Sequence, residues 1–116
     1  MISENVENTR QRVADACKKC GRNPEEIVLL AVTKTFPGNI IQEVAQAGVR
    51  DIGENYIQEL VRKREQLNDG SIRWHFIGHL QRNKVKEIIG WIHLIHSVDS
   101  ARLGMEISKQ AQQVNR

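Results

Sequence analysis

The sequence predicts an α/β fold: a leading helix followed by four strand–helix units whose strands run parallel. Three observations carry the prediction. Ile27-Val28-Leu29-Leu30-Ala31-Val32 runs six apolar residues without a polar break, a pattern that suits a strand buried on both faces under helices. Apolar segments of strand length then alternate with segments of helical period to the end of the chain. Strands open near residues 27, 49, 72 and 92, an even spacing of 20 to 23 residues with short links. Strict alternation of this kind implies parallel strands joined by right-handed crossovers. Four such units make either a small open sheet or half of an eight-unit barrel.

The first helix is expected over residues 3–20, with Ser3 as N-cap and Gly21 as the residue past its end. Val6, Val13, Ala16, Cys17 and Cys20 recur on it at helical spacing. Asn23-Pro24-Glu25-Glu26 turns the chain into a first strand over 27–33, which Lys34 follows. A helix over 39–47 ends at Gly48, and residues 49–53 make the second strand. The helix over 54–67 places Ile57, Leu60, Val61, Arg64 and Leu67 on one face, and Asn68-Asp69-Gly70 stops it. The third strand, 72–77, alternates, with Ile72, Trp74 and Phe76 on one side and Arg73, His75 and Ile77 on the other. A helix over 81–89, a strand over 92–97 and a helix opening at Asp99 or Ser100 complete the pattern.

At 116 residues the chain has the length of one domain. Apolar residues make up 40% and charged residues 27%, which excludes a disordered chain. The 17 basic and 14 acidic residues leave a net charge of +3 spread along the sequence, so nothing points to nucleic acid. No apolar run approaches the roughly 18–20 residues that span a bilayer, and Met1-Ile2-Ser3-Glu4-Asn5 lacks the basic start of a signal peptide. A cytoplasmic protein is expected. Cys17 and Cys20 form a Cys-x-x-Cys pair without a second pair to complete a zinc site, and are expected to be two cysteines on one helix face.

In parallel α/β architecture the carboxyl ends of all strands lie on one rim, where ligands are handled. The rim residues are Lys34, then Gly53-Glu54-Asn55, Gly78-His79, and Ser97-Val98-Asp99. A lysine among these groups is a reactive-amine constellation more than a hydrolytic one. Buried in an apolar rim, a lysine loses pKa, and the neutral amine can add to a carbonyl or act in acid–base chemistry. Each residue also has a plainer role. Lys34 can simply mark the strand's exit into water, Gly53 a tight turn, and Glu54 and Asp99 the charge favoured at a helix N-terminus. His75 and His79 read as ordinary partly buried histidines, and Arg82, Lys84 and Lys86 as a solvated basic face. No Gly-x-Gly-x-x-Gly or Gly-x-x-x-x-Gly-Lys occurs, so dinucleotide and P-loop chemistry lack support.

Four motifs together resemble the pyridoxal phosphate homeostasis protein family, the YggS- and PROSC-like proteins. They are Ala31-Val32-Thr33-Lys34, Gly53-Glu54-Asn55-Tyr56-Ile57-Gln58-Glu59, the segment from Trp74 to Lys84, and His96-Ser97-Val98-Asp99-Ser100. They come in the family's order and spacing over nearly the whole chain. The resemblance implies a fold like the N-terminal barrel of alanine racemase, so that residues 1–116 form a single truncated domain, half of a (β/α)8 barrel. It implies that pyridoxal 5'-phosphate (PLP) is the cofactor, that Lys34 carries it as a Schiff base, and that Asn55 lies beside its ring. It also implies a carrier or regulator of vitamin B6 pools and not an established enzyme. Family members are about twice as long, and their second half supplies the phosphate site and an arginine near the pyridine nitrogen. Weak cofactor retention and self-association through open half-barrel edges are therefore expected. Two other functions stand beside this one: a fragment of a fold-type III PLP racemase or decarboxylase, and a half-barrel that only oligomerises.

Overall fold

The computed structural model describes all 116 residues. Helix α1 spans Ile2–Cys20 and ends at Gly21, whose φ of 75° is the left-handed conformation glycine adopts without steric cost. Its N-cap is Met1, with no side-chain cap, so Ser3 lies inside the helix. Cys17 is buried and Cys20 exposed, both as free thiols on neighbouring turns. A 3-10 turn at Pro24–Glu26 follows, capped by the Asn23 side chain.

Strand β1 is Leu30–Val32, β2 is Asp51–Glu54, β3 is Arg73–Phe76 and β4 is Leu94–Ile95. Between them lie α2 (Gly38–Gln46), α3 (Ile57–Leu67) and α4 (Val85–Ile88), which a 3-10 turn at Arg82–Lys84 precedes. Helix α5, Ala101–Gln113, closes the chain, with Ser100 as its N-cap accepting from the Leu103 N–H at 3.1 Å. No helix is long and apolar enough to cross a membrane.

All four strands are parallel and stand in the order β1-β2-β3-β4. Successive right-handed crossovers that always step the same way place every crossover helix on the same side of the sheet. That is the winding of a (β/α)8 barrel, and the four units are half of one. In-register residues share a face, so Ile52 and Trp74, and with them Phe76, turn toward the helices. There they pack with Ile41, Leu60, Val85, Ile88 and Leu103 in the core. Leu30, Val32, Gly53, His75 and Leu94 turn to the other, inner face, which no helix covers.

The uncovered face corrects the expectation of a first strand buried on both sides. Val32 is 47% exposed and Val28 63%, and only three of the seven residues expected in the strand pair. Gly53 makes no turn. It lies within β2, and an added Cβ there would stand 3.3 Å from the Leu30 side chain. Arg64 is likewise not on the buried face of α3. It is exposed, with its guanidinium 4.5 Å from the centroid of a Trp91 ring.

Candidate functional site

Lys34 stands two residues beyond Val32, the last paired residue of β1. Asn55 stands two residues beyond Gly53, the partner of Val32. The two therefore leave neighbouring strands at the same level of the rim, Lys34 in a turn and Asn55 in a bend. Lys34 is exposed, not buried as its apolar approach suggested, and Asn55 is half-buried. The clefts along this rim, one of about 830 Å3 beside Arg82 and Ser100 and one of about 280 Å3 beside Asn55 and His79, do not include Lys34.

Both neighbours of Lys34 are tied down. Thr33 donates through its hydroxyl to Glu54 Oε2, and its carbonyl accepts from Lys63 Nζ at 2.8 Å. Thr35 has a φ of 69°, an outlier for a β-branched residue that costs about 1–3 kcal/mol. Its N–H donates at 2.7 Å to Glu59 Oε1, which also accepts from Lys63 Nζ at 2.6 Å. Burial pushes the Glu59 carboxyl up, but the hydrogen bonds from Lys63 and the Thr35 N–H outweigh it and hold the group below its ordinary range. Lys63 completes its bonds with Glu54 Oε2 at 3.0 Å, and both of these side chains are almost wholly buried.

Lys63 is the residue that sequence reasoning missed. Its signal was present: Glu59 and Lys63 stand four apart, and Lys63 follows Leu60 by three and precedes Leu67 by four on the buried stripe. Glu54, weighed as a helix N-terminal charge, ends β2 three residues before α3 begins, and serves this network instead.

Asn55 is held through its backbone. A Cβ at Gly78 would collide with the Asn55 carbonyl oxygen, so the loop after β3 approaches this closely only as glycine. His79 is exposed. Asp99 is exposed too, and Ser100 takes the capping role. Ser97, at the exit of β4, has a buried hydroxyl with no partner in the chain.

Lower on the inner face lies a second polar network. Arg73 grips Asp51 with two bonds, Nε to Oδ1 at 2.9 Å and Nη2 to Oδ2 at 2.7 Å. His75 Nε2 lies 2.9 Å from Asp51 Oδ1, and His75 Nδ1 lies 2.9 Å from His96 Nε2. The hydrogen bond from Arg73, opposed by burial and aided by His75, lowers the Asp51 carboxyl to about 2. Burial holds the His75 imidazole below its ordinary value, against the pull of Asp51.

No family model matches the chain. Curated proteins do. A pyridoxal phosphate homeostasis protein of Pseudomonas aeruginosa is 40% identical over 109 residues, 94% of this chain and 47% of that protein. One from Aquifex aeolicus is 42% identical over 108 residues, 93% of this chain and 47% of its own length. The chain is a half-length relative of the pyridoxal phosphate homeostasis proteins. It spans about half the length of the curated relatives it matches. Among solved structures, PipY of Synechococcus elongatus with PLP bound superposes with a TM-score of 0.85 at 33% identity, over 100% of this chain and 50% of PipY. A protein of unknown function from Bifidobacterium adolescentis superposes at 0.89 with 34% identity, over 98% of this chain and 51% of its own. The resemblance carried by the four motifs and the half-barrel fold is thus found independently in whole-chain sequence and in structure.

Proposed function

We propose that this chain binds PLP through Lys34, with Asn55 beside the ring, and acts in vitamin B6 homeostasis. One observation carries the reading most: the exposed Lys34 amine at the carboxyl end of β1 is flanked on both sides by residues fastened to the buried Lys63 network. PLP supplies an aldehyde, and a primary amine at a fixed place on the rim is the group that condenses with it. The remaining donors suit a polar ligand on the same rim. Ser97 Oγ is buried and unpartnered, and Arg82 and Arg102 line the cleft that also reaches His79. The PLP-bound PipY structure and the relatives' names support the same choice. Those names favour carriage over a racemase or decarboxylase fragment.

A cytoplasmic setting goes with this function, since two free thiols, one of them exposed, suit a reducing compartment. Self-association goes with it as well. β1 and β4 are open edges, and Val32 and Leu94 lie about half exposed on the uncovered face. The test of the main reading is reductive trapping. The chain is incubated with PLP, reduced with borohydride, digested and mapped. Label concentrated on the Lys34 peptide and lost in Lys34→Ala supports it; even labelling of surface lysines overturns it.

A further inference from the structure

Strand β4 is irregular. The His93 N–H donates to the Trp74 carbonyl and the His96 N–H to the Phe76 carbonyl, so three steps along β4 match two along β3. A regular pleat sends residues three apart to opposite faces; this one-residue bulge brings both to the same one. His93 and His96 each stand with ring centroids 5.1 Å from that of His75.

We propose that Asp51, His75 and His93 form a binding site for a divalent transition-metal ion of the zinc class. One ligand atom from each lies within 4.8 Å of the others, and two imidazoles with a carboxylate are a donor set that Zn2+ and Co2+ accept. His75 Nε2 and Asp51 Oδ1 are 2.9 Å apart and must part by about 0.5 Å to reach the separation of neighbouring donors on a tetrahedral ion with bonds of about 2.0–2.2 Å. The ion takes the place of the proton these two atoms share, and that proton moves by way of solvent to His75 Nδ1, so the imidazole stays neutral. His75 Nδ1–H is then free to donate to His96 Nε2, which fixes the ring's tautomer and orientation as outer partners of metal-bound histidines do.

Arg73 competes for the carboxylate but does not fill it. Its side chain is 51% exposed, and a carboxylate offers about four lone-pair sites, of which Arg73 uses one on each oxygen. His93 is exposed and can swing inward, which also gives the ion a way in from the uncovered face. Three protein donors leave the fourth position of a tetrahedral ion to water or an outside ligand. This site stands apart from the PLP reading and does not depend on it.

Cobalt(II) titrated into the full chain at neutral pH is the probe. A visible d–d band that saturates stoichiometrically and is displaced by Zn2+ is expected. His93→Ala, a change at an exposed side chain, should weaken cobalt binding at least about tenfold while far-UV circular dichroism stays unchanged. His75→Gln provides a second variant with the same expected loss. No band at millimolar cobalt, or equal binding by His93→Ala, overturns the site. So does a sulfur-to-cobalt charge-transfer band that Cys20→Ser removes, because it would place the ion on α1.

Discussion

Lys63 Nζ donates to the Thr33 carbonyl at 2.8 Å, one residue before the strand-end Lys34. The bond joins α3 to the exit of β1, and Glu59, on the same helix, repeats the connection one residue after Lys34 through the Thr35 N–H. A loop residue with a strained φ is thereby held by buried charge and not by packing alone. The rim amine gains a fixed platform while its own side chain remains in solvent.

The first prediction concerns this platform. Lys63→Met shortens the side chain by one heavy atom and removes its charge, leaving the buried Glu54 carboxylate without its cation. Breaking a buried pair from one side costs about 3–5 kcal/mol. Urea unfolding should show that loss, and the double variant Lys63→Met/Glu54→Gln should regain part of it. If Lys63→Met lowers stability by less than about 1 kcal/mol, the network is peripheral to the fold.

Acid should weaken the protein in two stages, both with the same sign. The His75 imidazole lies below its ordinary value of 6.5, so the unfolded chain binds its proton first, and stability falls as pH drops below that value. The Asp51 carboxyl is lowered from 3.8 to about 2, so its contribution is complete above the ordinary value and is lost as pH falls through that interval. After allowance for the exposed Arg73 partner, the Asp51 share is about 1–2 kcal/mol. Urea midpoints at pH 7.5, 5 and 3 in the wild type and Asp51→Asn measure it. Parallel profiles for the two proteins would count against the assignment.

Gly78→Ala should disturb Asn55 specifically. The added methyl meets the Asn55 carbonyl, which is backbone and cannot swing aside. A cost of about 1–3 kcal/mol is expected, with amide shifts centred on residues 54–56. Gly90→Ala is the control, since nothing lies within 4 Å of a Cβ there. Equal effects at the two glycines would mean that the loop relaxes freely.

What the sequence told follows from what each pattern measures. Period-two alternation in Ile72–Ile77 and the even spacing of units reported faces and order correctly, because both follow from backbone geometry. The run from Ile27 to Val32 reported apolarity, which is not the same as pairing: β2 begins at Asp51, opposite Leu30, so Ile27 to Leu29 have no strand beside them. Nor could the run reveal an uncovered inner face, which depends on the winding direction of all four units. Lys63 was passed over because a lysine on a helix is ordinarily solvated. Only the placement of Glu54, Glu59 and the Thr33 carbonyl around it makes burial tolerable. The bulge at His93–Leu94 leaves no mark in composition or period.

Self-association is a further expected outcome. Two unpaired sheet edges and the exposed Val32 and Leu94 side chains on one face favour a second copy edge to edge or face to face. Light scattering of the 116-residue chain at micromolar concentration should give a dimer or larger. Val32→Lys, at a side chain already half exposed, should shift it toward monomer without loss of fold. A stable monomer at every concentration would show that the open face is tolerated by itself.

The last prediction is that this chain captures PLP readily and holds it weakly. Condensation of an amine with an aldehyde reverses in water, so retention depends on what grips the phosphate. Helix N-termini and glycine-rich loops are the usual means. The α4 helix is a single turn behind a 3-10 segment, and at α5 the Ser100 side chain already accepts from the Leu103 N–H. Arg82 and Arg102 remain as cations on an open cleft. Two or three charge-assisted hydrogen bonds fewer, at about 1.5–3 kcal/mol each, weaken binding by several orders of magnitude. Borohydride should therefore trap the label on Lys34 in full, while dialysis without reductant should strip the absorbance of the bound cofactor. Arg82→Ala should speed that loss further if its guanidinium lends what grip there is. Stoichiometric absorbance after exhaustive dialysis would require a phosphate site that these residues, singly or across a dimer, assemble in some other way.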